Sequence, residues 1–463
     1  MEKQFTIETR LELQEDAVKY LTEYVVFYNE ISRKLWQIVR LSNFKELYTR
    51  SEFNTYACNK YNILKRTANS IYSDLAGKKK SLLELKKTEL SNKKIRYKKF
   101  FNKKNELINK INKLKEKVAL NKSNENELIR YRKYKHKYYF ICNKINNLKQ
   151  DVENLEKDIK NKNIKISFGS KKLFNAQYNL EANGFRTHTK WKNNYHKKRD
   201  KNIYYLGSKD ETLGNQLAQL DYDITISKFT LKLRKEKQYS NESKYLNISN
   251  IDFKYMKDEL INIINDHKSN RSLLPLSYRI YRVKNKWYLQ VIITTIVENY
   301  VTRKEYGVIG LDFNNGFISF SETNESGNLI KALNYPLKYH GCGNKALNEM
   351  LNTINNIVTY ARSVGKDISI EDLKFDSKKA NSIKSNQKNE KKYNKMIHTL
   401  DYSRYIFRLE NKCHKMQVSL NKVNPYNTSL IGYEKYAKNR KMTIHQAASF
   451  VIARKYQGFI DKL

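Results

Sequence analysis

From about Asp16 to Asn163 the chain contains no proline, and its apolar residues recur three and four positions apart. A proline inside a helix removes one hydrogen bond and collides with the preceding turn. A stretch this long that avoids proline and keeps the 3.6-residue period predicts a helical domain. Its clearest stripe is Ile145, Leu148, Val152, Leu155 and Ile159, and Leu107, Ile111, Leu114 and Val118 repeat much of that spacing upstream. Two such stripes predict an antiparallel helical hairpin whose apolar seams face each other.

On either side the period changes from 3.6 to 2. Phe5, Ile7, Leu11 and Leu13 suggest a short first strand. From about Ile164 to Val301 the segments IKISF, NIYYLG, LDYDITISKFTLKL, KYLNIS and YRIYRVKNKWYLQVIITT read as short alternating strands, which predicts a small β-barrel or sandwich. Beyond Arg303 the pattern is an α/β one. VIGLDF, FISFSE and NLIKAL form a three-stranded meander joined by Asn-Asn-Gly and Asn-Glu-Ser-Gly turns. A helix from about Ala346 to Val364 follows, then the strand DISIEDL, the strand MQVSLNKVNP and the amphipathic helix TIHQAASFVIARK. Meander, helix, strand, helix, strand, helix is the order of a ribonuclease-H-like α/β domain. The fold class is therefore multidomain α+β, with boundaries at 1–15, 16–163, 164–302 and 303–463.

Ninety Lys and Arg oppose forty-seven Asp and Glu, a formal charge of +43 that requires a polyanionic partner. Twelve of the cations lie between Gly77 and Lys104, against Glu84 and Glu89 alone. Tyr97, Phe100 and Phe101 interleave with them, which favours a nucleic-acid face over a merely solvated one, since phosphates attract Lys and bases stack on rings. No apolar run is long enough for a signal peptide or a membrane span, so an intracellular protein is expected. Cys58, Cys142, Cys342 and Cys413 stand far apart without any CxxC pair, and neither a zinc site nor a disulfide framework is expected.

Two acids carry the candidate chemistry. Asp312 ends the strand VIGLDF and Glu371 ends the strand DISIE. Carboxylates at the ends of neighbouring parallel strands can face each other and supply the hard oxygen ligands that Mg²⁺ or Mn²⁺ needs for phosphodiester hydrolysis. Either acid alone is more often a turn or cap residue; the order of elements around them raises the metal reading. The Gly-Ser-Lys turns of FGSKK and LGSKDETLGNQ offer backbone N–H groups, a hydroxyl and an ammonium to a phosphate, although a plain turn is the default reading.

At this point the chain resembles the TnpB-type RNA-guided nucleases of insertion sequences, relatives of the type V CRISPR effectors. The resemblance runs through TIETRLEL, YLTEYVVFYNEISRKLW, KRTANSIYSDLAGK, FGSKKLFNAQYNLEANGF and LGSKDETLGNQ. It continues in GVIGLDFNNGFISFS, ISIEDLKF and VNPYNTSLIGYEKYAKNRKMTIHQAASFVIARK, which look like the three motifs of a split RuvC nuclease. The resemblance implies a WED-like β-barrel with an inserted helical REC domain, followed by a RuvC domain. It implies a guide RNA from the element's own end, double-stranded target DNA, a Mg²⁺ or Mn²⁺ centre, no membrane partner, and a cytoplasmic, nucleoid-associated prokaryotic setting. Asp312 and Glu371 carry over as metal ligands. The guide-binding cations it implies are Arg66, Lys78, Lys79, Lys80, Lys171, Lys172 and Lys209; the alternative for each is a surface residue without a ligand.

Two positions depart from the family pattern. His445 stands where the family has an Asp; a neutral imidazole can ligate a metal weakly or act as a base, but it brings no negative charge. The alternative for His445 is a helix N-terminal residue with a capping or surface role. The stretch that commonly carries two CxxC pairs is SLIGYEKYAKNRKM here, with no cysteine, so zinc is not expected. Three functions follow: an RNA-guided DNA endonuclease; an RNA-guided DNA-binding protein with a weakened nuclease centre; and a basic RNA-binding protein without a guide.

Overall fold

The computed structural model describes residues 2–41, 44, 48–120, 124–162, 164–240, 243–269, 274–297, 299–314, 316–338, 343–372 and 402–461. Cys342, Asn315 of the Asn-Asn-Gly turn, and Leu373 to Phe375 at the end of the second nuclease-like motif lie outside them. The chain is a mixed α+β protein of two compact units, Gln4–Thr295 and Ile296–Leu463, the latter including Met1–Lys3.

In the first unit, β1 (Glu2–Leu11) buries Phe5, Ile7 and Leu11. Helix α1 (Glu15–Val39) follows, and its stripe of Leu21, Val25 and Leu35 is completely buried. Helix α2 (Arg50–Tyr61) opens with a Thr49/Glu52 capping box. Two long helices come next, α3 (Lys65–Ala119) and α4 (Glu125–Lys160), the latter started by an Asn124/Glu127 capping box. The longer elements that follow are α5 (His188–Arg199), β2 (Asn202–Tyr205), β3 (Ala218–Asp223), β4 (Lys228–Arg234), β5 (Tyr245–Ile251), α6 (Lys257–Lys268), β6 (Ser277–Val283) and β7 (Lys286–Ile296).

The strands of this unit form two sheets, β1-β7-β6-β2 and β3-β4-β5. Where a barrel or sandwich is expected, the described residues show two sheets with no hydrogen-bonded ladder joining one to the other. They share one apolar core with α1, α2 and the first turns of α3. IKISF, expected as a strand, is irregular. Its Ile164 is buried against the common core, and a short apolar segment serves that purpose without pairing.

Glu236 is a buried carboxylate that holds the start of α3. It accepts hydrogen bonds from the Leu64 backbone N–H (2.7 Å), the Thr67 hydroxyl and the Tyr24 hydroxyl (3.3 Å). Burial pushes its carboxyl above the ordinary range, against those donors.

The expected helical hairpin is α3 against α4. Leu107, Ile141 and Ile145 are buried in its seam, and Tyr97, Phe100 and Tyr134 pack onto them. Tyr97 and Phe100 therefore fill the seam and are not a base-stacking face; a residue spaced three or four from seam leucines shares their side of the helix. Several cations of the basic run are also engaged, Lys86 with Asp158 (2.6 Å), Lys93 with Asp151 (2.9 Å) and Lys94 with Glu156 (2.6 Å).

The second unit is built on one five-stranded sheet, ordered β10-β9-β8-β11-β12. Strands β8 (Val308–Asn314), β9 (Phe317–Thr323) and β10 (Leu329–Pro336) form an antiparallel meander. Helix α7 (Asn344–Ser363) crosses to β11 (Asp367–Glu371), which runs parallel to β8. Helix α8 (Tyr402–Met416) precedes β12 (Leu420–Val423), parallel to β11, and α9 (Ile444–Gln457) closes the chain.

Alternation divides the sheet. Ile309, Leu311, Ile368 and Ile370 belong to a core with Ile354, Ile357 and Val358 of α7 and Leu409 and Cys413 of α8. The intervening residues face α9, and Gly310 explains how closely. A Cβ there would lie 1.9 Å from the Ser449 carbonyl oxygen and 2.8 Å from the Ala453 nitrogen, so only glycine admits the helix.

Candidate functional site

The face that receives α9 also carries the acids. In a strand, residues two apart share a side, so Gly310 places Asp312 on the α9 face. On β11, Ser369 reaches toward the Ile452 carbonyl of α9 (3.5 Å), which puts Glu371 on the same face. Strands β8 and β11 pair Leu311 with Ile370, and the next position along each strand is Asp312 and Glu371. Adjacent strands lie about 4.8 Å apart, so the two acids end neighbouring parallel strands side by side.

Residues His445 and Thr428 bring in two further elements. Thr443 caps α9 through a box in which its hydroxyl accepts from the Gln446 N–H (3.2 Å) and the Gln446 side chain accepts from the Thr443 N–H (3.0 Å). This fixes His445 in the first turn, where its Nδ1 lies 3.1 Å from Oδ2 of Asp312. With Asp312 ionised, Nδ1–H donates and Nε2 is left as the acceptor. The imidazole also meets Phe317 edge-on, at 5.3 Å between ring centres. The Asn314 side-chain amide donates to the same Oδ2 (2.9 Å).

Glu371 is held by different neighbours. The Thr428 hydroxyl donates to its Oε1, and the Tyr402 hydroxyl donates to its backbone carbonyl (2.6 Å). Lys455 of α9 fixes the loop leading to Thr428 by donating to the carbonyls of Asn424 (3.1 Å) and Tyr426 (2.7 Å). Burial pushes the Lys455 ammonium down, and the nearby Glu371 carboxylate opposes that shift.

The geometry thus brings Asp312 and His445 into contact and sets Glu371 on the adjoining strand. Among the described residues, no three His, Cys, Asp or Glu side chains gather closely enough to hold a metal ion. Mg²⁺, however, is ordinarily bound through one or two carboxylates completed by water and substrate phosphate, and the donor set fits that chemistry. Asn314 and Thr428 were missed as carboxylate partners. An amide two residues beyond a strand-terminal acid is a usable signal for the first; nothing local links Thr428 to Glu371.

The expected nucleic-acid cations divide into two groups. Arg66 is paired with Glu211, and Lys78 with Asp74 (2.5 Å). The Lys79 ammonium donates to the carbonyls of Val39 (2.7 Å) and Leu41 (2.8 Å), closing the end of α1. Lys80, Lys171, Lys172 and Lys209 are exposed. In the first Gly-Ser-Lys turn, the Ser170 hydroxyl accepts from the Leu173 N–H and starts a one-turn helix.

No protein-family model matches the chain, and no curated relative does. Among solved structures it is similar to that of a Cas12f1–sgRNA–target DNA complex, at 12% identity over 55% of this chain and 67% of the other, with a TM-score of 0.23. It is also similar to a Cas12i1 R-loop complex after target DNA cleavage, at 10% identity over 87% of this chain and 49% of the other, with a TM-score of 0.22. For a Cas12i1–crRNA binary complex the values are 10%, 87%, 50% and 0.24. The chain spans about half the length of the Cas12i1 chains it matches. Among the described residues, no helix is long and apolar enough to cross a membrane.

Proposed function

We propose that the chain is an RNA-guided DNA endonuclease of the TnpB type, cutting with one ribonuclease-H-like centre. The observation that carries this reading is the placement of Asp312 and Glu371 at the ends of adjacent parallel strands, with His445 on the helix that covers them. A meander followed by two parallel strands is the sheet order expected of such a domain and supports the assignment. The charge of +43 suits two polyanions, a guide RNA from the chain's own element and the duplex target that it opens. The proposed setting is the nucleoid of a prokaryotic cytoplasm.

Asp312 and Glu371 would hold Mg²⁺ or Mn²⁺, with His445 as third neighbour and no zinc elsewhere. When bound, the ions supply an activated water and charge stabilisation for the leaving 3′ oxygen. Asn314 and Thr428 each fix one oxygen of a carboxylate, and Nε2 of His445 is available to accept a proton. The test supplies purified ribonucleoprotein, with its co-purifying RNA sequenced, with a matched target and Mg²⁺ or Mn²⁺. Cleavage that disappears in Asp312→Ala is expected; no cleavage, or cleavage unchanged by that substitution, refutes the reading.

A second reading is a guide-dependent DNA-binding protein with a weakened centre. It is favoured by Oδ2 of Asp312, which both Asn314 and His445 already engage. Under it, His445→Asp creates cleavage that the natural chain lacks, and a natural chain that cuts excludes it.

A further inference from the structure

The hairpin of α3 and α4 carries opposite charge patterns along its length. Near the core, α4 supplies Asp151, Glu156 and Asp158 to the cations of α3. Farther out, residues 129–144 contain six cations and no acid. The apolar side of this segment is already used, since Ile141 and Ile145 are buried in the seam and Tyr134 packs on it.

The opposite side follows from helical geometry. At 100° per residue, Ile129, His136 and Phe140 fall on one outward line. Arg132 and Tyr139 flank it on one side, Lys133 and Lys137 on the other. The apolar members of this line are open to solvent: Tyr139 is 61% exposed, Phe140 60% and Ile129 42%. Lys144 stands 5.7 Å from the Phe140 ring centre. Rings and cations share one face, and neither is consumed by an acid of the same segment.

We propose that this outer face of α4 binds RNA through unpaired bases, the rings stacking on base faces while Arg132, Lys133 and Lys137 meet the phosphates. The rings select the partner. Duplexes hide their base faces in the stack, whereas unpaired bases are the ordinary state of RNA loops and bulges. A membrane-binding helix would segregate its apolar residues from its cations; here the segregated apolar side is the seam, and the outer face is mixed. The surface lies in a different unit from Asp312 and does not rest on the nuclease reading.

The test uses the full chain without added metal and a single-stranded RNA of about a dozen nucleotides carrying 4-thiouridine, a length in the range of one stacking platform. Ultraviolet crosslinks are mapped by mass spectrometry. A crosslink at Tyr139 or Phe140 is expected, reduced at least about fivefold in Tyr139→Leu/Phe140→Leu, the lower bound of stacking per base. Both side chains are exposed, and circular dichroism verifies folding. Arg132→Gln/Lys133→Gln should flatten the log–log salt dependence of that crosslink by about 1.4, at 0.7 per cation for single strands. Duplex RNA and phosphatidylserine vesicles should each compete at least about fivefold less well than the RNA, whereas single-stranded DNA, which exposes the same base faces, should compete. No crosslink within residues 129–144, an undiminished signal in the leucine variant, an unchanged salt slope, or equal competition by the duplex or the vesicles overturns the proposal.

Discussion

Replacing glycine by alanine at two positions should shift stability in opposite directions. At Gly310 the new methyl meets the Ser449 carbonyl at 1.9 Å, where real Cβ contacts stop near 3.0 Å, so α9 must retreat by roughly 1.1 Å. Overpacking of this kind costs about 1–3 kcal/mol, offset by the ~0.4–1 kcal/mol that the alanine returns by restricting the unfolded chain. The net penalty is therefore at most about 2.6 kcal/mol, and the transition of Ile296–Leu463 should fall by up to roughly 10 °C. Ser449 lies one turn from His445 on the same side of α9, so the retreat also pulls Nδ1 off Asp312, now 3.1 Å away. Gly77, within α3, has nothing within 4 Å of its added Cβ. There alanine should raise stability by about 0.5–1 kcal/mol through helix propensity. Denaturant melts of both variants, with hydrogen exchange to assign each change to its unit, measure the pair. A Gly310→Ala chain as stable as the natural one refutes the close approach of α9, and a destabilised Gly77→Ala chain refutes the open surroundings of that position.

Lys79→Met should cost about 1–2 kcal/mol in the same melts, because two carbonyls at the end of α1 lose a charged donor; an unchanged midpoint contradicts the capping role. Hydrogen bonds from Lys257 and then Lys228 hold the Asp252 carboxyl below its ordinary range. A depressed carboxyl stabilises the fold above its unfolded value, about 3.9, and loses that contribution as pH falls through the folded one. Asp252→Asn should then cost no more than ~1 kcal/mol at neutral pH for so exposed a pair, the difference disappearing in acid; a penalty that persists in acid would argue against the ion pairs. Under the proposed nuclease reading, Thr428→Val should weaken Mn²⁺-dependent cleavage about 10–100-fold, as loss of a ligand-orienting partner does, with Thr428→Ser retaining it; a Val variant that needs no more Mn²⁺ than the natural chain excludes orientation by Thr428.

The sequence disclosed most where one periodicity reports one environment. The stripe through α4 and the alternation of VIGLDF and FISFSE are local patterns, and the elements formed over them. Residues whose partners are distant in the chain were not legible. Glu236 sits among lysines and looks like a surface acid, yet it is buried by helices more than a hundred residues earlier. Tyr97 and Phe100 share their side of α3 with the seam, a relation that the reading of cations alone missed. Asp312 and Glu371 could be singled out because a strand's end is a local feature. That Asn314 and Thr428 each take one carboxylate oxygen depends on side-chain reach and on the loop that Lys455 fastens.

Helix α3 is one unbroken element of 55 residues, rooted in the core through Ala68, Ile71 and Leu75 and running out to the hairpin's far end. At 1.5 Å per residue it reaches roughly 65 Å beyond Leu75. Such a rod is a lever: a rotation of about 5° at its root sweeps the tip through roughly 6 Å, the width of one helical turn. Glu236, which holds the first turn through Leu64 and Thr67, is placed at the fulcrum. A load taken up at the far end is therefore transmitted to the apolar root at Ala68, Ile71 and Leu75 and to the hydrogen bonds around one buried carboxylate.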